Sequence, residues 1–159
     1  MRLRYSILTA LALSLSIAPA HAATGYSCAI DALQETPPNA SPASGTGVFI
    51  LNDAGTSLAY TVSYSGLTAN RTAAHFHGPA GPGVPAGVVF GIAGAGPTSD
   101  VISGTWAIDA TNLGRLNAGL LYINIHSGNF PGGEIRGQIG ADATPANKVS
   151  WGRIKALYR

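Results

Sequence analysis

Four histidines occur in this 159-residue chain: His21, His75, His77 and His126. His21 falls in a segment that reads as an export leader. The other three fall in two short stretches, Ala74-His75-Phe76-His77-Gly78 and Tyr122-Ile123-Asn124-Ile125-His126-Ser127. Alternate residues of an extended strand share a face, so His75 and His77 project together, about 6.6 Å apart along the chain. Two imidazoles so spaced converge on one ion at about 2.0 Å per bond, provided that His126 arrives on a neighbouring strand. Three neutral imidazoles suit copper or zinc, and an exported protein favours a copper ion over zinc. The motif holds no thiolate and Met1 is the single methionine, so a soft, sulfur-rich Cu(I) site does not fit. Metal binding by His75, His77 and His126 would weaken as pH falls through the histidine range near 6.5. The competing reading makes the same three residues hydrogen-bonding or partner-binding histidines without metal. The sequence leaves both readings open.

Other chemistry is absent. There is no Gly-x-Ser-x-Gly elbow, no phosphate loop and no dinucleotide fingerprint. The seven acidic residues are scattered, so no carboxylate pair at a useful spacing can be named. No catalytic residue is assigned, and hydrolysis is conceivable only through a metal-bound water. Glu134 and Arg136 lie on one face of a strand, which suits a salt bridge across the sheet end better than catalysis. Asn124, two residues before His126, and Tyr122 are candidates to support the site by hydrogen bonding from outside the ligand set.

The elements that must hold these residues are strands. The chain beyond its leader is rich in Gly, Ala, Thr, Ser, Val and Ile, and strand-like runs alternate with Gly, Pro, Asn and Asp clusters. Strands are expected at 25–33, 44–52, 57–65, 72–77, 87–91, 101–108, 119–126 and 134–139. Asn52-Asp53-Ala54-Gly55 reads as a hairpin turn between the second and third of them. The fold class expected is all-β, an antiparallel Greek-key sandwich or barrel of about eight strands with a short C-terminal helix. Alternation places Leu121, Ile123, Ile125 and Phe76 toward the core. Tyr122, Asn124, His126, Ala73, His75 and His77 then face outward, under loops. The stretch Gly78-Pro79-Ala80-Gly81-Pro82-Gly83-Val84-Pro85-Ala86-Gly87 has no sustained collagen period and reads as an ordered connector, or as a lid at the rim of the histidines. The lone Cys28 cannot form an internal disulfide and reads as a small buried apolar residue beside Ile30 and Ala32.

Residues 1–22 read as a secretory signal peptide. Arg2 and Arg4 precede an apolar run from Ile7 to Ile17, and Ala20-His21-Ala22 is a small-x-small cleavage site. The apolar run is shorter than the roughly 20 residues that span a bilayer. The domain is then 23–140, and the protein is expected to be secreted or periplasmic. Without Arg2 and Arg4 the basic and acidic residues balance, so no nucleic-acid surface is implied. Residues 141–159 read as a linker and an amphipathic basic tail. Trp151, Ile154, Leu157 and Tyr158 form one helical stripe, and Ser150 could cap it. Such a tail could dock on the domain or contact a membrane surface or the export machinery.

Two blocks carry a family pattern. One is His75-Phe76-His77-Gly78-Pro79-Ala80-Gly81, followed by Gly87-Val88-Val89-Phe90. The other is Leu121-Tyr122-Ile123-Asn124-Ile125-His126-Ser127 with Asn129-Phe130-Pro131-Gly132-Gly133-Glu134-Ile135-Arg136-Gly137-Gln138-Ile139. With Gly104-Thr105-Trp106 between them and Leu33-Gln34-Glu35-Thr36-Pro37-Pro38 at the opening, roughly 25–140 resembles a CHRD domain. That module is named after chordin and is also found in exported bacterial proteins. The resemblance implies an extracellular domain; in chordin such domains belong to a protein that binds growth factors, so an extracellular protein partner is the alternative to a metal. A second resemblance is to Cu/Zn superoxide dismutase, an eight-stranded Greek-key barrel whose copper is held partly by a His-x-His pair and a later His. His75, His77 and His126 match that order, and Gly137-Gln138-Ile139-Gly140 is similar to its closing Gly-rich strand. No histidine remains for a bridge or a zinc subsite, so the resemblance implies a mononuclear copper site rather than dismutase activity.

Overall fold

The computed structural model describes residues 23–142. The leader and the tail beyond Asp142, including Ser150 and the stripe from Trp151 to Tyr158, lie outside the described residues, whereas Ala141, read as the start of a linker, pairs with Tyr26 of the first strand. The chain forms β1 (Thr24–Asp31), a short 3-10 turn (Ala32–Gln34), β2 (Ser44–Leu51), β3 (Leu58–Ser65), β4 (Arg71–His77), β5 (Val88–Ala93) and β6 (Asp100–Trp106). There follow α1 (Ala110–Asn117), β7 (Tyr122–Ser127), β8 (Ile135–Gln138) and β9 (Gly140–Ala141). The eight expected strands correspond to β1–β8, each with ends shifted by a few residues.

All the pairings are antiparallel, in the order β5-β4-β7-β8-β1-β2-β3-β6, with β9 added beside β1. The β3–β4 and β6–β7 connections cross the end of the sheet, and β7-β4-β5-β6 makes a Greek key once β5 and β6 meet. They meet through side chains. Phe90 of β5 stacks on Trp106 of β6 at 5.0 Å with 12° between the rings. The sheet is therefore nearly closed into a barrel, its last seam held by aromatic packing rather than by a hydrogen-bonded ladder.

Alternation fills that barrel. Phe49, Leu58, Val62, Phe76, Ile123, Ile125 and Ile135 are fully enclosed. Phe76 packs edge-on against Phe49 and Tyr60, with ring centroids at 5.6 and 5.7 Å. Cys28 lies in the same core, as its alternation with Ile30 requires. Burial pushes its thiol up to about 12, so it packs as an apolar group and is not a reactive one. The Asn52–Gly55 hairpin is present: Asn52 Oδ1 accepts the amides of Thr56 and Ser57, and Gly55 takes φ +69°.

Besides the 3-10 turn and the two-residue β9, one helix was not expected. No helix was anticipated before the tail, yet α1 occupies the interval between the sixth and seventh strands. Its apolar content is only Leu113 and Leu116, interrupted by Gly114, so periodicity gave a weak signal. The caps hold it instead. Asp109 Oδ1 accepts the amide of Asn112 at 2.7 Å. At the other end Gly119, at φ +67°, donates to the Leu116 carbonyl and Leu120 donates to that of Arg115. That pair of bonds is a Schellman motif, which requires a left-handed residue at Gly119. Among the described residues no helix is long and apolar enough to cross a membrane.

Candidate metal centre

β4 lies beside β7, with His75 opposite Asn124, His77 opposite Tyr122 and Ala73 opposite His126. Phe76, Ile123 and Ile125 point into the barrel, so His75, His77 and His126 share its outer side. Irregular pairing of β4 with β5 on either side of His75 and Phe76 bends the strand at the histidines, as β-bulges do. The face is outward but not exposed. All six residues of β7 are buried, His77 and His126 are 8% exposed, and His75 is half-buried. The cover consists of the 78–87 loop, the 129–133 loop and the segment 32–39.

The three rings form a triangle with centroids 5.0, 5.6 and 5.8 Å apart. One nitrogen from each ring can be chosen so that all lie within 4.8 Å of one another. Three nitrogens bound to one ion at about 2.0–2.1 Å in a tetrahedral site lie about 3.4 Å apart, so the rings would draw in by up to about 1.4 Å on binding. Hydrogen bonds fix the tautomers. His77 donates from Nδ1 to the Ala86 carbonyl at 2.9 Å, and His126 donates from Nδ1 to the Pro131 carbonyl at 3.0 Å. Each therefore presents a bare Nε2. That of His77 is buried without a partner, and that of His126 accepts from His75 Nδ1 at 3.2 Å. A metal could be held by His77 Nε2 and His126 Nε2, whose rings are oriented by backbone carbonyls, and by His75 Nδ1 once its proton has moved to Nε2.

The surroundings favour neutral imidazoles. Burial holds all three histidines below their ordinary range. The bonds to Ala86 and Pro131 act in the opposite sense, while the neighbouring histidines, and Arg136 in the case of His77, lower them further. Neutral imidazole is the form a metal needs.

A family model, the CHRD domain, matches residues 26–139. The chain belongs to the CHRD family. A search of curated proteins found no match to it. The matched span takes in every strand that builds the histidine triangle and stops before β9.

Beside the triangle, this CHRD domain buries a polar layer that departs from the sequence-based expectations. Glu134 and Arg136 form no salt bridge with each other; among the described residues the one ion pair is Arg71–Asp100, at 3.1 Å. Glu134 instead accepts from Ser41 Oγ at 2.6 Å and from the Thr68 amide at 2.7 Å. Burial alone would raise its carboxyl, but hydrogen bonds from Ser127, Ser41 and Thr68 outweigh that and hold it below the usual range. Arg136 is 1% exposed and donates to the carbonyls of Gly81 and Val84, to Thr36 Oγ1 and to Gln138 Oε1. The reason is positional: β8 carries Arg136 under the 78–87 loop, whose turning backbone points carbonyls at it. Tyr122 makes no hydrogen bond to a histidine; it stacks on His77 and makes a reciprocal pair of hydrogen bonds with the Ala86 backbone.

Asn124 turns away from the histidines toward Glu35, its Nδ2 donating to Oε2 at 3.5 Å. Glu35 was not singled out from the sequence. It is 6% exposed, and burial pushes its carboxyl up to about 7 against the opposing pull of the Thr36 amide, Arg136 and Asn124. Glu35 Oε1 and Asn124 Oδ1 are both buried without a donor. They lie within 2.7 and 2.5 Å of the point a Cβ would occupy on Gly133, so only a glycine fits between them. A proton on Glu35, which its raised carboxyl favours, would give this pair of acceptors a donor. A faint signal was available, since Leu33-Gln34-Glu35-Thr36-Pro37-Pro38 places a carboxylate inside a family block.

Proposed function

We propose that this CHRD domain is an exported metal-binding domain that holds one ion, copper in preference to zinc, on His75, His77 and His126. The observation that carries the reading is the pair of oriented, proton-free nitrogens, His77 Nε2 and His126 Nε2, in one cluster of three imidazoles beneath loops. A histidine kept for structure alone uses both ring nitrogens; His77 Nε2 has no partner. Copper is favoured because divalent copper exceeds zinc in affinity for a given nitrogen site. Three protein nitrogens leave a further coordination position, on the side where His75 is half-exposed. Export is supported by the leader-like residues 1–22 and by the extracellular type of the family. The test is titration of the purified protein with Cu(II) under EPR. One equivalent with nitrogen hyperfine structure is expected. Unchanged affinity after all three histidines are replaced by alanine overturns the reading.

A second reading, a non-enzymatic interaction module without metal, is favoured by one observation. The outer face of β2, β3 and β6 carries exposed Val48, Ile50 and Val101. Pull-down of exported proteins with the wild-type chain and with a Val48→Asp, Ile50→Asp variant tests it.

A further inference from the structure

Tyr122 is the central layer of a three-part stack. On one side His77 lies 5.1 Å away, centroid to centroid, with 17° between the rings. Arg136 Cζ sits 3.6 Å from the centroid of the same ring. His77 comes from β4 and Arg136 from β8, the two strands that flank β7, so they meet Tyr122 from opposite faces. The hydroxyl is clamped as well. Tyr122 Oη accepts from the Ala86 amide at 2.9 Å and donates to the Ala86 carbonyl, which also receives His77 Nδ1–H. Two rings and one loop residue thus form a single unit.

The cation at the end of the stack is unusual. Arg136 is buried, and its hydrogen-bond acceptors are two carbonyls, a hydroxyl and a side-chain amide oxygen, all neutral. No carboxylate is bonded to it. Glu35 is near enough to interact with it, but burial favours the neutral form of that carboxyl, so the field of Arg136 is cancelled only in part, and in a dry setting such fields are felt over several ångströms.

We propose that Tyr122 and Arg136 are positioning residues that act through His77 to bias copper in this site toward Cu(I) over Cu(II). This rests on the three-histidine reading above. Two physical effects point the same way. A fixed buried cation penalises the ion of higher charge more, so it disfavours Cu(II) relative to Cu(I). The clamp also holds His77 in a threefold arrangement with His75 and His126, whereas Cu(II) prefers tetragonal coordination and would need the ring to turn. With Arg136 on its far face, the tyrosine ring is drawn toward that cation and gives less electron density to the imidazole.

The experiment compares Cu(I) and Cu(II) affinities of the full chain by competition with a chelator selective for each state. It uses wild type, Tyr122→Leu, Tyr122→Phe and Arg136→Gln. Tyr122→Leu removes the aromatic layer and is expected to lower the ratio of Cu(I) to Cu(II) affinity about tenfold, equivalent to about 59 mV for a one-electron couple. Arg136→Gln removes the charge while keeping a donor toward the loop, and shifts the ratio the same way; it is the second arm should Tyr122→Leu fail to fold. Tyr122→Phe keeps the stack, so it lowers both affinities while the ratio stays within about threefold. A ratio unchanged in a folded Tyr122→Leu or Arg136→Gln protein overturns this proposal and leaves the metal site intact. Wild type that binds copper in neither state overturns the three-histidine reading itself.

Discussion

The two halves of the barrel wall solve the same problem differently. On β2, exposed and buried residues alternate cleanly from Thr46 to Leu51, and the outer side is Thr46, Val48 and Ile50 in open solvent. On β7 every residue is buried. Both strands need an apolar inner face; only β7 has a second layer over its outer one. That layer is costly. It encloses His77, His126, Asn124, Glu35, Glu134 and Arg136, and each polar group withdrawn from water must find a partner or lose about 1–3 kcal/mol. A barrel held together by its core alone needs no such layer, as β2 and β3 demonstrate. Its presence over β4, β7 and β8 marks the half of the molecule where the positions of polar groups matter.

The contrast can be broken at several points. The largest effect is expected on metal. Replacing His75, His77 and His126 by alanine together should weaken Cu(II) binding by at least about a thousandfold, near 4 kcal/mol, by chelator competition. Next is Arg136→Met, which leaves the carbonyls of Gly81 and Val84 without their donor; a loss of about 3 kcal/mol in urea unfolding is expected, against less than about 0.5 for Val48→Thr on the bare wall.

A third test uses pH. The Glu35 carboxyl is raised in the folded protein, so it holds a proton there that it gives up on unfolding. It therefore destabilises the fold progressively as pH rises from the ordinary glutamate range to about 7. Glu35→Gln removes this dependence and should gain up to about 3 kcal/mol above pH 7, with little change near pH 4. The histidines act in the opposite direction. Their folded values are lowered, so the unfolded chain takes up protons first, and metal-free protein loses stability as pH falls below about 6.5. Thermal unfolding across pH 4–8 of wild type and of the triple-alanine protein separates the two. The smallest effect belongs to the bare wall, where Val101→Thr should shift copper affinity not at all and stability by less than about 0.5 kcal/mol.

The sequence carried the first layer of this architecture and little of the second. Strands β1–β8 were legible because inner and outer residues alternate, and the histidine triangle was legible because a His-x-His pair on such a strand has one geometry. The α1 helix was written in its ends, Asp109 and Gly119, rather than in its face. The second layer depends on contacts between distant positions. Glu35 meets Asn124 from 89 residues away, and Arg136 reaches Val84 from 52. Nothing local distinguishes an arginine that will pair with a carboxylate from one that will bond to loop carbonyls, so the expected Glu134–Arg136 bridge was a fair inference from spacing and still incorrect.

The 78–87 loop grips the site through main-chain oxygens, with Gly81 and Val84 receiving Arg136 and Ala86 receiving His77. The grip belongs to the path of the chain and not to what hangs from it. Apart from Gly78, Ala80 and Gly83, which are held by close packing or a left-handed backbone, side chains along that stretch can therefore be exchanged with little consequence for how the imidazole is aimed, so long as the curve is kept. Shortening it by a single residue would be felt at once.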